Sequence, residues 1–153
     1  VFGGLFVIAG DVAHPVAADI PGVVLCWVPE SETPTDESRA CLPDTVSRAD
    51  AVFNLGRVGL LMAAVYAGND ELLRQATEDR LHQPQRLVAA PASAAALDAA
   101  LDAGAHAAWL SGSGPTIAIV AAHDQADRIA ASLPAGGQVM RLDVDTAGSV
   151  IVD

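Results

Sequence analysis

Residues Leu110-Ser111-Gly112-Ser113-Gly114-Pro115-Thr116 lie between two apolar runs, at positions 105–109 and 117–121. Apolar runs of this length predict strands, so the segment predicts a tight connection between two strands. Glycine adopts positive φ without a side-chain clash, which lets consecutive backbone N–H groups converge on an anion. Gly-Ser turns also occur in ordinary hairpins. The segment alone therefore predicts either a phosphate-binding loop or a plain hairpin.

The same segment excludes two well-known catalytic motifs. A dinucleotide-binding fingerprint needs a third glycine and a following helix, whereas Ile117 and a strand pattern come next. A nucleophile elbow needs the spacing G-x-S-x-G, which Gly112-Ser113-Gly114 does not provide. A nest of backbone N–H groups or a simple hairpin remains.

Composition predicts one globular domain, or slightly more than one. The 153 residues are 52% hydrophobic and 18% charged, and a net charge of −11 opposes binding to nucleic acid or acidic membranes. All eight basic residues are arginines. Without lysine, a Walker loop, a Schiff base and a lysine nucleophile are excluded within the chain, and an anion must be bound by arginine, backbone N–H groups or helix dipoles.

Neither export nor membrane insertion is indicated. The apolar runs are shorter than a membrane span, and no basic leader precedes them. Two cysteines, Cys26 and Cys41, are too few for a disulfide scaffold, so we expect a cytoplasmic protein. Because the chain opens on Val1 within an apolar run, we also expect it to be cut from something longer.

The longest predicted element is a helix over 47–66. Ser47 and Asp50 resemble a capping box, and Gly68 follows the last turn. Between these caps nearly every side is apolar, which predicts a buried helix. Its polar exceptions, Asp50, Asn54 and Arg57, share one stripe.

The remaining elements alternate between strands and helices. Strands are predicted at 5–9, 23–28, 105–109, 117–121, 139–144 and 149–152, and helices at 35–39, 70–79, 91–103 and 124–132. We expect Pro84 to terminate the helix before it, and Asp124 to cap the last helix. This order predicts an α+β fold with an antiparallel sheet and helices on one face.

Two arginines are the strongest candidates for anion binding. Arg57 on an apolar helix and Arg86 beside a proline could hold one carboxylate or phosphate together. Internal ion pairs with the many acidic residues are the alternative. The sequence alone does not separate the two interpretations.

A metal site is not predicted. Glu78, Asp79 and His82 have spacings that allow two ligands, but no second histidine lies nearby. Helix capping, or ion pairing with Arg80 or Arg86, is the favoured interpretation. No Ser-His-Asp triad is recognisable, so no catalytic residue is assigned within the chain.

Four segments together resemble the homoserine kinases of the GHMP kinase superfamily. They are Thr35-Asp36-Glu37-Ser38-Arg39-Ala40-Cys41-Leu42-Pro43, Asp50-Ala51-Val52-Phe53-Asn54-Leu55-Gly56-Arg57, Glu78-Asp79-Arg80-Leu81-His82-Gln83-Pro84-Gln85-Arg86 and the segment 110–116. The resemblance implies a ferredoxin-like C-terminal domain over 46–153. It also implies that 1–45 are the last strands of an N-terminal domain, of the ribosomal protein S5 domain 2 type, and a linker.

The resemblance further implies phosphorylation of homoserine by ATP with Mg²⁺, a step toward threonine, in a cytoplasmic homodimer. Asn54, Arg57 and Arg86 match positions that contact the amino-acid substrate, with the two arginines on its carboxylate. The loop residues Ser111, Gly112, Ser113 and Gly114 match a phosphate-side loop, and Asp79 and His82 match supporting positions.

Two parts of the family pattern are missing. The Pro-x-x-x-Gly-Leu-Gly-Ser-Ser phosphate loop and a Gly-His-x-Asp-Asn segment are absent, together with the half that would supply the acids for magnesium. Gln85 also stands where an aromatic residue often precedes the arginine. We therefore expect the isolated chain to be inactive. The alternatives are a non-catalytic amino-acid-binding regulatory module and another small-molecule kinase of the superfamily.

Overall fold

The computed structural model describes residues 3–17, 19–31 and 35–149, without the side chains of 35–37. Its strands are β1 (Leu5–Ala9), β2 (Val12–Ala17), β3 (Val23–Pro29), β4 (Ala107–Leu110), β5 (Ile117–Ala121) and β6 (Gly137–Leu142). Its helices are α1 (Thr35–Ala40), α2 (Arg48–Ala67), α3 (Leu73–Ala76), α4 (Gln83–Ala89), α5 (Pro91–Asp102) and α6 (Ala126–Ser132), with a 3₁₀ turn at Asp70–Leu72 before α3.

Four strands form the main sheet in the order β4-β5-β3-β6, and every neighbouring pair is antiparallel. Strand β3, the helices α1–α5, the hairpin β4–β5, helix α6 and strand β6 follow one another as in a ferredoxin-like βαββαβ unit. The predicted α+β class with an antiparallel sheet is confirmed. Strands β1 and β2 form a separate antiparallel hairpin.

Helices cover both faces of the β4–β5 part of the sheet. On one face, alternate β3 residues Val23, Leu25 and Trp27 pack with residues of α5 and α6. On the other, Ala107 of β4 and Val120 of β5 pack against α2 and α3. Every residue of β5 is buried for this reason. The prediction of helices on one face was wrong, because a short, fully apolar strand does not reveal by periodicity that both its faces are covered.

Helix α2 is bounded as predicted but is not buried. The Ser47 hydroxyl accepts the N–H of Asp50, and Gly68 ends the helix with φ 62°. Within α2 only Ala64 and Val65 are buried, whereas Leu55 is 71% exposed. The apolar sequence predicted the helix correctly. The described residues, however, pack against α2 along one side only.

The length and composition of α2 would also allow it to cross a membrane. This is weak support for a membrane protein, because core helices of soluble proteins satisfy the same two criteria. Ser47 and Gly68 cap the two ends of α2.

Local differences from the predicted elements have identifiable causes. The helix expected over 70–79 is a 3₁₀ turn followed by the four residues of α3. Pro84 does not end a helix; it lies in the first turn of α4, where its missing N–H would have no helical partner. Asp124 does not cap α6, which begins after Gln125 without a side-chain cap. Strand β2 was not predicted, and most of the strand expected at 149–152 lies outside the described residues.

Candidate functional site

The loop between β4 and β5 is a tight turn with two glycines at positive φ. Gly112 has φ 59° and Gly114 has φ 80°. The N–H of Ser111 donates to the carbonyl of Thr116 at 2.9 Å, and the N–H of Gly114 donates to the carbonyl of Ser111 at 2.9 Å. A Cβ at Gly114 would also lie 2.8 Å from a Leu110 side-chain carbon. Both the backbone conformation and the space therefore require glycine at 114.

Arg86 of α4 lies against this loop. Its Nη1 donates to the carbonyl of Gly112 at 3.1 Å, and its Nε donates to the carbonyl of Ser38 at 3.2 Å. Nη1 is also 3.4 Å from Nδ1 of His82. The guanidinium thus joins α1, α4 and the glycine loop, and two of its nitrogens hydrogen-bond backbone oxygens.

Asp79 anchors the start of α4. Its Oδ2 accepts the N–H groups of Leu81 at 3.1 Å, His82 at 2.7 Å and Gln83 at 2.7 Å. The carboxylate is only 7% exposed. Burial acts to raise the pKa of Asp79, but the donors from His82, Gln83 and Asn54 outweigh it and lower the pKa below its ordinary value. Asp79 is therefore an ionised cap for a helix that carries Arg86.

Asn54 ties this segment to α2. Its Nδ2 donates to Oδ1 of Asp79 at 2.6 Å, and its Oδ1 accepts the N–H of Arg80 at 2.9 Å. His82 completes the group, because its Nε2 is 3.9 Å from Oδ1 of Asp79. The structure thus brings Asn54, Asp79, His82 and Arg86 into one connected group.

Arg57 lies one turn further along α2 and has different partners. Its Nη2 pairs with Oε2 of Glu78 at 2.7 Å. The guanidinium lies 4.2 Å from the centre of the Phe53 ring, and that of Arg80 lies 3.8 Å from the same ring centre. Nε of Arg57 is buried and has no hydrogen-bond partner among the described residues. The cation is thus paired internally, with one donor unused.

The two predicted arginines, Arg57 and Arg86, line two different cavities. One, of about 430 Å³, is lined by Arg86, Ser38, Ser93, Ser113 and Pro115 among others. The second, of about 310 Å³, has Asn54, Arg57, Asp79 and His82 on its wall and is otherwise largely apolar. The structure therefore places Arg86 beside the glycine loop and Arg57 in the neighbouring cavity.

Sequence reasoning missed three residues next to the loop, namely Ser38, Gln83 and Ser93. Each is buried and hydrogen-bonds the loop backbone or its first residue. Their partners are 75, 27 and 22 residues away along the chain, so no local pattern could have identified them. In the part of the chain that is described, no three His, Cys, Asp or Glu side chains gather as metal ligands.

Comparison with known proteins identifies the family. The family described as "GHMP kinases C terminal" matches residues 61–138, which is half of the chain. The chain is 38% identical to the homoserine kinase of Desulfitobacterium hafniense over 94% of its own length and 51% of that protein. It is 43% identical to a homoserine kinase of Thermus thermophilus, over 79% of the chain and 42% of that protein.

Solved structures agree with this match. The crystal structure of homoserine kinase from Cytophaga hutchinsonii superposes with a TM-score of 0.87 at 26% identity, covering 96% of this chain and 50% of that one. A putative homoserine kinase from Listeria monocytogenes gives a TM-score of 0.68 at 28% identity, covering 97% and 51%. The chain spans about half the length of these relatives. It belongs to the GHMP kinase family and carries that family's C-terminal domain.

Proposed function

We propose that this chain is the acceptor-binding half of a homoserine kinase, which phosphorylates L-homoserine to O-phospho-L-homoserine with ATP in threonine biosynthesis. Support comes from the match to homoserine kinases along 94% of the chain at 38% identity. Two of the four sequence segments that resemble homoserine kinases, 78–86 and 110–116, lie within the residues 61–138 that match the family model.

The position of Arg86 is the observation that carries this proposal. A guanidinium is suited to a carboxylate even when, as in Arg86, two of its nitrogens bond backbone carbonyls, and turns rich in glycine present backbone N–H groups to phosphate. Nη1 of Arg86 lies 3.1 Å from the carbonyl of Gly112, and Arg86 and Ser113 line the same cavity. In this proposal Arg86 binds the carboxylate and the glycine loop binds phosphate, and their proximity supports transfer of phosphate to an amino acid.

The reaction needs little covalent chemistry from this chain. The hydroxyl oxygen of homoserine forms a bond to the γ-phosphorus, while the bond from that phosphorus to the bridging oxygen breaks and ADP leaves. The hydroxyl proton goes to solvent or to a group outside this chain. The role of Arg86 is to fix the carboxylate, so that the hydroxyl at the other end of the substrate faces the phosphate.

ATP and Mg²⁺ are the implied cofactors. The N–H groups of Gly112 and Ser113 have no acceptor among the described residues, and in this proposal they receive oxygens of a nucleotide phosphate. By the resemblance to homoserine kinases, the acids that bind magnesium belong to the part of the family pattern that is absent here. We therefore assign magnesium binding to the nucleotide and to the part of the protein that this chain does not include.

Asn54 and Arg57 remain predicted substrate contacts. Both line the neighbouring cavity, and the Arg57 side chain is partly exposed there, which supports an anion-binding role. Their present partners, Asp79 and Glu78, show that each also holds the 78–82 segment in place. We propose that Asp79 and His82 act by positioning Arg86. We further propose that the protein is cytoplasmic and forms a homodimer. Light scattering of the purified protein tests the homodimer.

The test uses a joined protein, in which this chain is fused to the part of the Desulfitobacterium hafniense relative that it does not cover. We expect homoserine-dependent ADP formation. Arg86→Ala should raise the KM for homoserine about tenfold to a hundredfold, since a charged hydrogen bond contributes about 1.5–3 kcal/mol. The KM for ATP should stay within about twofold.

Arg128→Ala is the matched control for that experiment. Nη2 of Arg128 also donates to a backbone carbonyl, that of Ala103, at 2.7 Å, but it lies outside both cavities. Its kinetic constants should equal those of the unchanged protein. Equal increases in both KM values for Arg86→Ala would contradict the carboxylate role, and phosphorylation of another acceptor in preference to homoserine would contradict the substrate.

A further inference from the structure

Among the described residues, three polar residues are buried over their whole surface, backbone included. Ser38, Gln83 and Ser93 are 5%, 8% and 1% exposed. They lie on three different helices, α1, α4 and α5. Burying a polar group is unfavourable unless it is hydrogen-bonded, so the partners of these three side chains indicate what the fold has to hold in place.

All three side chains bond the same short stretch of backbone. Oγ of Ser38 donates to the carbonyl of Ser113 at 2.8 Å, and Oγ of Ser93 donates to the carbonyl of Pro115 at 2.6 Å. Oε1 of Gln83 accepts the N–H of Leu110 at 2.7 Å. The other end of the Gln83 amide donates to the carbonyl of Thr77 at 3.1 Å, which fixes the orientation of the amide.

Ser93 shows why this arrangement is more than helix packing. It is surrounded in α5 by Ala92, Ala94, Ala95 and Ala96, and alanine is both the better helix former and free of a polar group. A serine at this fully buried position is therefore explained by the bond that its hydroxyl makes to the loop.

These three side chains bond the backbone on either side of the N–H groups of Gly112 and Ser113, at Leu110 before them and at the carbonyls of Ser113 and Pro115 after them. The peptide unit that joins Gly112 to Ser113 is planar and trans, so its carbonyl and its N–H point in opposite directions. Arg86 binds the carbonyl of Gly112, which directs the N–H of Ser113 away from the guanidinium. No acceptor among the described residues takes the N–H of Gly112 or of Ser113. Two adjacent N–H groups, with Gly112 at φ 59°, are thus left for an anion.

We propose that Ser38, Gln83 and Ser93 are positioning residues that hold the glycine loop in the conformation in which the N–H groups of Gly112 and Ser113 receive phosphate oxygens. They act through the backbone and touch no substrate. The identity of the phosphate as that of a nucleotide rests on the proposed function, whereas the positioning role itself does not.

The first test titrates the 153-residue chain with tripolyphosphate while its backbone amide resonances are followed by NMR. We expect saturable shifts at Gly112 and Ser113. Ser38→Ala, Gln83→Met and Ser93→Ala should each weaken binding about threefold to tenfold, the effect of losing one or two neutral hydrogen bonds. An absence of shifts in the unchanged chain, or unchanged affinity in all three variants, would overturn the proposal.

Ser132→Ala provides the matched control. Oγ of Ser132 donates to the carbonyl of Ile129 at 2.7 Å, so the variant loses a hydroxyl-carbonyl bond of the same kind, away from the loop. It should bind tripolyphosphate like the unchanged chain, even if its melting temperature falls. Should Ser93→Ala fail to fold, Ser38→Ala and Gln83→Met still decide the outcome.

The second test measures kinetics in the joined protein. Each of the three variants, Ser38→Ala, Gln83→Met and Ser93→Ala, should raise the KM for ATP or lower kcat by about threefold to tenfold. The KM for homoserine should stay within about twofold. A purely structural role would change both KM values equally, or neither. If the joined protein phosphorylates nothing, the proposed function fails, while the tripolyphosphate titration still decides the positioning role.

Discussion

At the scale of single residues, Asp79 carries the interactions that order the site. It receives three N–H groups from the start of α4 and the amide of Asn54, and its pKa lies below the ordinary value. A group whose pKa is lowered in the folded state contributes stability that is complete above its unfolded pKa, about 3.9 for aspartate. That contribution is lost as the pH falls through the lower, folded pKa.

The first prediction concerns this pH dependence. The unchanged chain should lose stability below about pH 4 more steeply than Asp79→Asn, because asparagine has no charge to lose. At pH 7 the variant should be less stable by about 1 kcal/mol, the usual effect of weakening a helix cap. Urea unfolding at pH 7, 5, 4 and 3 measures both effects.

Asp98→Asn is the control for the pH series, since Asp98 is exposed on α5. It should leave both the stability and its dependence on pH unchanged. Parallel curves for Asp79→Asn and the unchanged chain below pH 4 would contradict the assignment of Asp79 as an ionised cap.

Some of these residues were predictable and others were not. The spacing of Asp79 and His82 favoured helix capping over a metal site, and Asp79 does hold the start of α4. Internal ion pairing was one of the two interpretations of Arg57 in its apolar helix. Arg57 does pair with Glu78, and its guanidinium lies over the Phe53 ring. Gln83 lies in a segment that resembles homoserine kinases, but its bond to Leu110 was not predictable because it joins positions 27 residues apart.

At the scale of elements, β6 shows how a glycine permits close packing. Gly137 faces Trp27, which is fully buried and donates its Nε1 to the carbonyl of Pro134 at 3.0 Å. A Cβ at Gly137 would lie 2.5 Å from a ring carbon of Trp27. The indole cannot yield, because it fills the core between the sheet and the helices α5 and α6.

The second prediction follows from this contact. Gly137→Ala should lower the free energy of unfolding by about 1–3 kcal/mol, as expected for overpacking a filled core. Gly136→Ala is the matched control, since a Cβ there meets nothing within 4 Å and its φ is not positive. Urea unfolding monitored by tryptophan fluorescence compares the two, and equal stabilities would show that β6 shifts freely away from Trp27.

Helix α2 presents the opposite situation, an apolar surface with little packed on it. Val52 is 62% exposed and Leu55 is 71% exposed. Leu61, in contrast, packs against buried residues that include Ala64, Leu73 and Val120. The helical pattern was correctly predicted from sequence, but burial depends on what the rest of the protein provides.

The third prediction separates these two sides of α2. In the isolated chain, Leu55→Gln should change stability by less than about 0.5 kcal/mol, because an exposed side chain loses nothing on substitution. Leu61→Gln should cost about 2 kcal/mol or more. In the joined protein, Leu55→Gln should become destabilising if the missing half covers α2. Thermal unfolding of both forms tests this, and a large loss for Leu55→Gln in the isolated chain would contradict the exposed position.

At the scale of the whole molecule, the sequence predicted the type of sheet correctly, but it did not predict which faces of the sheet and of α2 are covered. The antiparallel sheet could be predicted because its strands are short apolar runs separated by turn residues. The second covered face of the sheet and the exposed face of α2 could not, since both depend on contacts between distant segments. The division into a remnant over 1–45 and a domain over 46–153 stays a prediction.

The last prediction is that the isolated 153-residue chain forms no ADP in the presence of homoserine, ATP and magnesium. Phosphoryl transfer requires the acceptor hydroxyl, the γ-phosphorus and the bridging oxygen to be in line, with the developing charge neutralised. Under the proposed function this chain contributes Arg86 and the glycine loop, which are joined by a hydrogen bond from Nη1 of Arg86 to the carbonyl of Gly112. The phosphate loop of the family pattern is absent from the sequence, and the chain contains no lysine.

Complementation provides the positive control for that experiment. Adding the missing half, either fused or as a separate chain, should produce homoserine-dependent ADP, measured with a coupled assay at the same chain concentration. Arg86→Ala should abolish most of this gain at low homoserine and less of it at high homoserine, because the loss is in acceptor binding. ADP formation by the isolated chain that disappears in Arg86→Ala would instead show that this half contains a complete active site.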